Sequence, residues 1–172
     1  IEFIRKNRDR IIGIGEVGID LKESNSFERQ KENFILFIKL AKELNMPIIV
    51  HSRGAEEKVI DILEKEKIEK VVMHCFSGNF DLVERIVSNK WMITIPTNIT
   101  FSEHFQKVVE RVDIKSLLCE TDSPFLHPIK GERNNEPANI IESYKKIAEI
   151  KKIKLDECER IIEENFRRLF SF

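Results

Sequence analysis

The sequence predicts an α/β fold in which parallel strands are covered by outer helices. Short apolar runs alternate five times with longer segments of helical periodicity along the 172 residues. The apolar runs are nearly continuous, which is typical of strands buried on both faces of a parallel sheet. No glycine-rich phosphate loop follows any of these runs. A TIM-barrel-like (β/α) fold is therefore the leading architecture, and a doubly wound open sheet is the alternative.

The predicted elements follow one another in regular order. The strands are expected at Ile11–Val17, Pro47–Ser52, Lys70–Phe76, Trp91–Pro96 and Leu117–Thr121. The helices between them are expected at Phe27–Leu44, Ala55–Glu66, Asp81–Asn89 and Ser102–Val112. Two further helices, Pro137–Ile150 and Leu155–Phe170, are expected to close the fold.

Local signals support these helices. In the first one, Phe34, Ile38 and Ala41 recur at helical spacing, so one face is expected to be buried. Pro47 ends that helix before the next strand. Asp81 is placed to cap the third helix, with Glu84 three residues later.

Composition is that of an ordinary globular protein, and we expect a single domain over residues 1–172. The formal net charge of −1 argues against a broad basic surface for nucleic acid, but it permits an enzyme that holds phosphates through metal ions. Three cysteines without zinc-like spacing, no apolar run of membrane length and no visible signal peptide together predict a cytoplasmic protein.

Four of the five apolar runs end in side chains that bind metals or transfer protons: Glu16, His51, His74 and Asp122. In barrel enzymes the active site is built at the carboxyl ends of the strands. Since side chains two apart share a face of a strand, Ile14, Ile49 and Val72 should lie beneath the first three ligands. Each polar residue alone is more often a cap, a turn or a structural histidine, but the four together indicate a shared metal site.

Histidine and carboxylate ligands without thiolates suit Zn²⁺, Mn²⁺ or Mg²⁺, and the sequence leaves the metal open. The Glu16 carboxylate is able to bridge two ions, which can clamp a phosphate and activate a water. Asp122 is able to ligate one ion and also to orient or deprotonate the attacking water. Glu120 is expected on the same side of its strand as Asp122.

Several segments resemble those of the TatD-type metal-dependent deoxyribonucleases, an amidohydrolase-like group of TIM barrels. The segments are Gly15-Glu16-Val17-Gly18-Ile19-Asp20, Pro47-Ile48-Ile49-Val50-His51-Ser52-Arg53, His74-Cys75-Phe76-Ser77-Gly78, Glu120-Thr121-Asp122-Ser123-Pro124, Asn135-Glu136-Pro137 and Asn165-Phe166-Arg167-Arg168-Leu169-Phe170. The histidine-cysteine-phenylalanine-serine-glycine and glutamate-threonine-aspartate-serine-proline segments together are highly specific.

The resemblance implies a two-metal hydrolase of DNA, commonly a 3′→5′ exonuclease on single strands. It implies that Glu16 bridges the metals, that His51 and His74 complete one site, and that Asp122 serves the other. Glu16 and Asp122 are then the catalytic residues. Arg53, Ser77 and Asn135 are the candidate substrate-binding residues, and a guanidinium such as that of Arg53 suits phosphate geometry.

The family's opening His-x-His segment does not occur in this sequence, whose histidines are His51, His74, His104 and His127. We therefore expect the first βα units of the barrel to be missing and at most one metal site, at Glu16, His51 and His74, to persist. Two other functions remain open at this point. One is a hydrolase of small phosphoesters or cyclic amides, and the other is a shortened, non-catalytic metal-binding module.

Overall fold

The structure is a computed structural model, and it describes residues 1–24 and 26–171. Five strands are present in the described residues: β1 (Ile14–Gly18), β2 (Ile48–His51), β3 (Val71–Met73), β4 (Met92–Ile95) and β5 (Leu117–Cys119). Seven α-helices are present there: α1 (Glu2–Lys6), α2 (Phe27–Leu44), α3 (Glu56–Glu66), α4 (Phe80–Ser88), α5 (Glu103–Arg111), α6 (Ile140–Lys151) and α7 (Leu155–Phe170). The chain forms two compact units, residues 1–92 with the segment from Leu169 onward, and residues 93–168.

The first unit contains three parallel strands and the helices that follow them. Strand β1 pairs with β2 from Ile14 opposite Ile48 to Gly18 opposite His51, with an irregularity in between. Strand β2 pairs with β3 in continuous register, Ile48 opposite Val71. Helix α2 buries Phe34, Ile38, Leu40 and Ala41, as its apolar spacing predicts.

The second unit contains the parallel pair β4 and β5, in which Ile93 lies opposite Leu117. Helices α5, α6 and the part of α7 up to Arg168 also belong to this unit. A buried amide fastens α7 to the start of β5, because Asn165 Nδ2 donates to the carbonyl oxygens of Ile114 (2.7 Å) and Leu117 (2.9 Å). Hydrogen bonds of this kind satisfy backbone groups that burial would otherwise leave without partners.

The prediction that Asp81 caps helix α4 is wrong. Asn79 occupies the cap position, and its side chain accepts a hydrogen bond from the backbone N–H of Leu82 at 3.0 Å. Asparagine caps helices as well as aspartate does, and it stands where the chain is still extended. Asp81 lies instead in the first turn, where its negative charge is favourable to the helix dipole.

Among the described residues, no helix is both long and apolar enough to cross a membrane. The expectation of a single domain stays a prediction.

Candidate metal centre

The first three predicted ligands lie at the carboxyl ends of the three strands of the first unit. Glu16 is in β1, His51 is the last residue of β2, and His74 directly follows β3. The backbone N–H of His74 donates to the carbonyl oxygen of Val50 at 3.0 Å and so continues the β2–β3 ladder. Because parallel strands end at the same edge of a sheet, these three side chains converge.

Two glycines flank Glu16 and let β1 approach β2 closely. A Cβ atom on Gly15 would lie 2.6 Å from the Cβ atom of Ile49. A Cβ atom on Gly18 would lie 1.9 Å from the carbonyl oxygen of His51. Both separations are far below van der Waals contact, so these positions admit no larger residue without moving the backbone.

The ligand atoms of Glu16, His51 and His74 all lie within 4.8 Å of one another. His51 Nδ1 is 2.6 Å and His74 Nε2 is 3.7 Å from Glu16 Oε1. The two imidazole rings are stacked, with centroids 6.2 Å apart and an interplanar angle of 28°. The Glu16 side chain is 44% exposed, His51 27% and His74 13%, so the group is accessible at its carboxylate.

This group fits a divalent metal ion. The His51 Nδ1 and Glu16 Oε1 atoms face each other at 2.6 Å, which requires either a hydrogen atom or a metal ion between them. One carboxylate and two imidazole nitrogens form a ligand set that Zn²⁺ and related ions bind.

Of the three apolar residues predicted beneath these ligands, two are buried as expected. Ile14 and Val72 are each only 2% exposed. Ile49 is half-buried rather than buried.

Asp20 is a further residue of the site, to which sequence reasoning assigned no role. Its Oδ2 atom lies 3.0 Å from His51 Nε2 and accepts a hydrogen bond from Arg53 Nε at 2.9 Å. Burial acts to raise the pKa of Asp20, but hydrogen bonds from Arg53, from the backbone of Glu23 and Lys22 and from His51 hold that pKa well below its usual value. The signal in the sequence was a carboxylate just after β1 and a His-x-Arg pair at the end of β2.

The predicted substrate contacts of the first unit are both at the surface. Arg53 pairs with Asp20 and also donates to Glu23 at 2.8 Å, so its Nε and one terminal nitrogen are engaged by carboxylates. Ser77 is exposed in the segment after His74. Phosphate or substrate binding by these two residues stays a prediction.

Asp122 and Glu120 belong to the second unit, in the segment that follows β5. The backbone of Glu120 still continues the sheet, because its N–H donates to the carbonyl oxygen of Ile95 at 3.2 Å. Asp122 has a positive φ of 55°, and its carbonyl oxygen accepts the N–H of Phe125 at 2.8 Å, which forms a turn. The role of Asp122 as a metal ligand stays a prediction.

Asn135 is 5% exposed, and its amide is engaged by the loop after β5 and by Thr97. Its Nδ2 atom donates to Thr97 Oγ1 (2.9 Å) and to the carbonyl oxygens of Thr121 (2.8 Å) and Leu126 (3.3 Å). Its Oδ1 atom accepts from the Glu136 N–H and from Asn139 Nδ2, both at 2.9 Å. These contacts give Asn135 a structural role in the loop, and substrate binding by Asn135 stays a prediction.

Several known proteins are similar to this chain in sequence or in fold. The TatD related DNase family profile matches residues 1–171. An uncharacterized metal-dependent hydrolase of Methanocaldococcus jannaschii is 43% identical over 98% of this chain and 66% of its own length. The human deoxyribonuclease TATDN3 is 37% identical over 99% of this chain and 64% of its own length. The crystal structure of YJJV, a TatD homologue from Escherichia coli, has a TM-score of 0.89 at 27% identity and covers 99% of this chain and 70% of that one.

The chain belongs to the TatD family, whose relatives are named as metal-dependent hydrolases. It spans about two thirds of the length of the curated relatives it matches. The likeness to the E. coli structure confirms the predicted TIM-barrel-like α/β class, and five parallel strands alternate with helices as that class requires.

Proposed function

We propose that this protein is a metal-dependent deoxyribonuclease that hydrolyses phosphodiester bonds of DNA, as a 3′→5′ exonuclease on single strands. The group formed by Glu16, His51 and His74 carries the proposal, because it is a half-exposed set of metal ligands at the carboxyl ends of parallel strands. Membership in the TatD related DNase family and the name of the human relative support DNA as the substrate.

Glu16, His51 and His74 would hold one divalent ion, and Asp122 is retained as a proposed metal ligand. A divalent ion at such a site supplies Lewis-acid stabilisation for a phosphate oxygen and for an attacking water. We also propose Asp122 as a general base, since a carboxylate can accept a proton from water. Zn²⁺, Mn²⁺ and Mg²⁺ all suit these ligands.

Arg53, Ser77 and Asn135 are proposed to contact the substrate. Arg53 has the strongest support, because its guanidinium is half-exposed beside the metal ligands and guanidinium groups match phosphate geometry. A cytoplasmic location is part of the same proposal and is supported by the reduced thiols of Cys119 and Cys158.

The test is hydrolysis of a 5′-fluorescein-labelled single-stranded oligonucleotide by the chain in the presence of Mg²⁺, Mn²⁺ or Zn²⁺. The proposal predicts a ladder that shortens from the 3′ end, and its loss when the 3′ linkage is a phosphorothioate. His51→Ala, which removes a ligand, should abolish cleavage. Glu28→Gln is the matched control on the exposed start of α2 and should cleave as the unmodified chain does.

Cleavage no faster than that of His51→Ala with every metal would contradict the proposal. Faster turnover of small phosphoesters or cyclic amides than of DNA would keep the metal centre and replace the substrate. Metal binding without hydrolysis of any of these compounds would leave a metal-binding module.

A further inference from the structure

Asp20 is held on both of its oxygen atoms by hydrogen-bond donors. Its Oδ2 atom faces His51 Nε2 at 3.0 Å and Arg53 Nε at 2.9 Å. Its Oδ1 atom accepts the backbone N–H groups of Lys22 at 2.8 Å and Glu23 at 3.0 Å. Four donors thus converge on one carboxylate, whose side chain is only 19% exposed.

The backbone of Asp20 is fixed as well. Its N–H donates to Gln30 Oε1 at 2.7 Å, and its carbonyl oxygen accepts from Gln30 Nε2 at 3.1 Å. Helix α2 therefore holds the segment after β1 through a reciprocal pair of bonds. The Asp20 carboxylate is a rigid acceptor at the edge of the ligand group.

The position of this acceptor determines the proton arrangement of His51. A carboxylate only accepts hydrogen bonds, so the ring nitrogen that faces Asp20 must carry a hydrogen atom. The other nitrogen, Nδ1, faces the Glu16 Oε1 atom at 2.6 Å, so a hydrogen atom or a metal ion must lie between these two atoms. When a metal ion binds there, Nδ1 supplies its lone pair to the ion and Nε2 keeps its hydrogen atom. Metal-binding histidines in proteins are commonly oriented by a carboxylate on their second nitrogen.

We propose that Asp20 is a positioning residue, which holds the His51 ring in the Nε2–H tautomer and so directs the Nδ1 lone pair to a divalent cation at Glu16, His51 and His74. Arg53 contributes by fixing Oδ2 from its other side. This role for Asp20 rests on the metal centre proposed above.

Substitution by asparagine separates this role from a salt bridge that only stabilises the fold. In Asp20→Asn an NH₂ group replaces one of the two carboxylate oxygens. The remaining oxygen cannot accept hydrogen bonds from all four donors that contact Asp20. When the NH₂ group faces His51, the ring proton moves to Nδ1, the atom that the metal needs. Glu23→Gln is the matched control, since it makes the same change in a carboxylate that pairs with Arg53.

Two measurements on the purified chain test the proposal. Calorimetric titration with Zn²⁺ should show an affinity at least about 10-fold lower for Asp20→Asn and within about two-fold of the unmodified chain for Glu23→Gln. Long-range ¹H–¹⁵N spectra of the four histidine rings in the Zn²⁺-loaded chain report which ring nitrogen of each carries a hydrogen atom. His51 is assigned by the signal that His51→Gln removes, and it should be protonated at Nε2.

A His51 ring protonated at Nδ1 in the Zn²⁺-loaded unmodified chain would overturn the proposal even if Asp20→Asn fails to fold. So would an Asp20→Asn variant that folds and binds Zn²⁺ as tightly as Glu23→Gln. If the unmodified chain binds no Zn²⁺, the proposed metal centre fails and the role of Asp20 fails with it, whereas Zn²⁺ binding that Asp20→Asn leaves unchanged overturns only the role of Asp20.

Discussion

Two regions of the molecule carry polar residues of the family motifs: the edge formed by β1, β2 and β3, and the loop after β5. The polar side chains of these two regions have different surroundings. At the strand edge, the ligand atoms of Glu16, His51 and His74 face one another in a half-exposed group. In the loop, the amide of Asn135 is buried and donates to backbone carbonyl oxygens of the loop and to the Thr97 hydroxyl. A motif residue therefore becomes a ligand candidate only where the fold leaves its polar atoms directed at a shared point.

The largest effect that separates the two regions should be on metal affinity. His74→Ala removes one of three ligands, so we expect Zn²⁺ affinity to fall by more than about 100-fold, beyond the usual effect of a residue that only supports a ligand. Thr97→Val removes the hydroxyl that accepts a hydrogen bond from Asn135, and it should change Zn²⁺ affinity by less than about two-fold. Calorimetric titration of both variants checks this, and equal losses would remove the distinction between the regions.

Gly18→Ala should cause the largest loss of stability at the strand edge. The added Cβ would lie 1.9 Å from the carbonyl oxygen of His51, so β1 must move away from β2. We expect the free energy of unfolding to fall by about 3 kcal/mol, the upper end for an overpacked position. Urea unfolding measures it.

Gly13→Ala is the control for that variant. Its Cβ would come no closer than 3.0 Å to any neighbouring atom, and the nearest one is a side-chain atom of Phe170. If Gly13→Ala lowers the free energy of unfolding as much as Gly18→Ala does, the close approach of β1 to β2 is not the reason that position 18 requires glycine.

Asn135→Ala should destabilise the loop region by about 2–3 kcal/mol, because several buried groups lose their partners at once. Asn139→Ala removes a single hydrogen bond to Asn135 and should cost about 1 kcal/mol. Thermal unfolding of the two variants gives the ranking. If Asn135→Ala has a negligible effect on stability, the Asn135 amide is not required by the loop, which would favour the substrate contact predicted from the sequence.

The two regions should also differ in their response to acid. The pKa of Asp20 is lowered in the folded protein, so its stabilisation is complete above the unfolded value of about 3.9 and is lost as pH falls below it. The destabilisation by Asp20→Asn, about 2 kcal/mol at neutral pH, should therefore shrink between about pH 5 and pH 3. The effect of Asn135→Ala, which involves neutral groups, should not change. Urea unfolding across this range tests both, and a pH-independent cost for Asp20→Asn would contradict the charge-assisted contacts.

The sequence predicted the order and type of the strands and the helices that follow them, because apolar periodicity depends on local residues. It overestimated the length of β3, since Cys75 adopts a positive φ of 42° and turns the chain out of the sheet. It placed the start of β1 too early, at Ile11 instead of Ile14. Such boundaries depend on pairing with a neighbouring strand, which one segment does not reveal.

For the site too, the sequence predicted some contacts and missed others. Glu16, His51 and His74 were expected to converge because parallel strands end at one edge of the sheet. In the structure their side chains do lie close together. The contact of Asp20 with His51 joins residues 31 positions apart and depends on how the segment after β1 folds back. The loop role of Asn135 depends likewise on Thr97, 38 residues away. Long-range contacts of this kind have no local sequence pattern.

Anomalous diffraction from crystals soaked in Zn²⁺ would show whether Glu16, His51 and His74 form a metal centre. We expect one strong peak at the zinc edge, with Glu16 Oε1, His51 Nδ1 and His74 Nε2 at about 2.0–2.2 Å from it. A map without a peak at these three atoms, in crystals with Zn²⁺ bound elsewhere on the chain, would contradict this expectation.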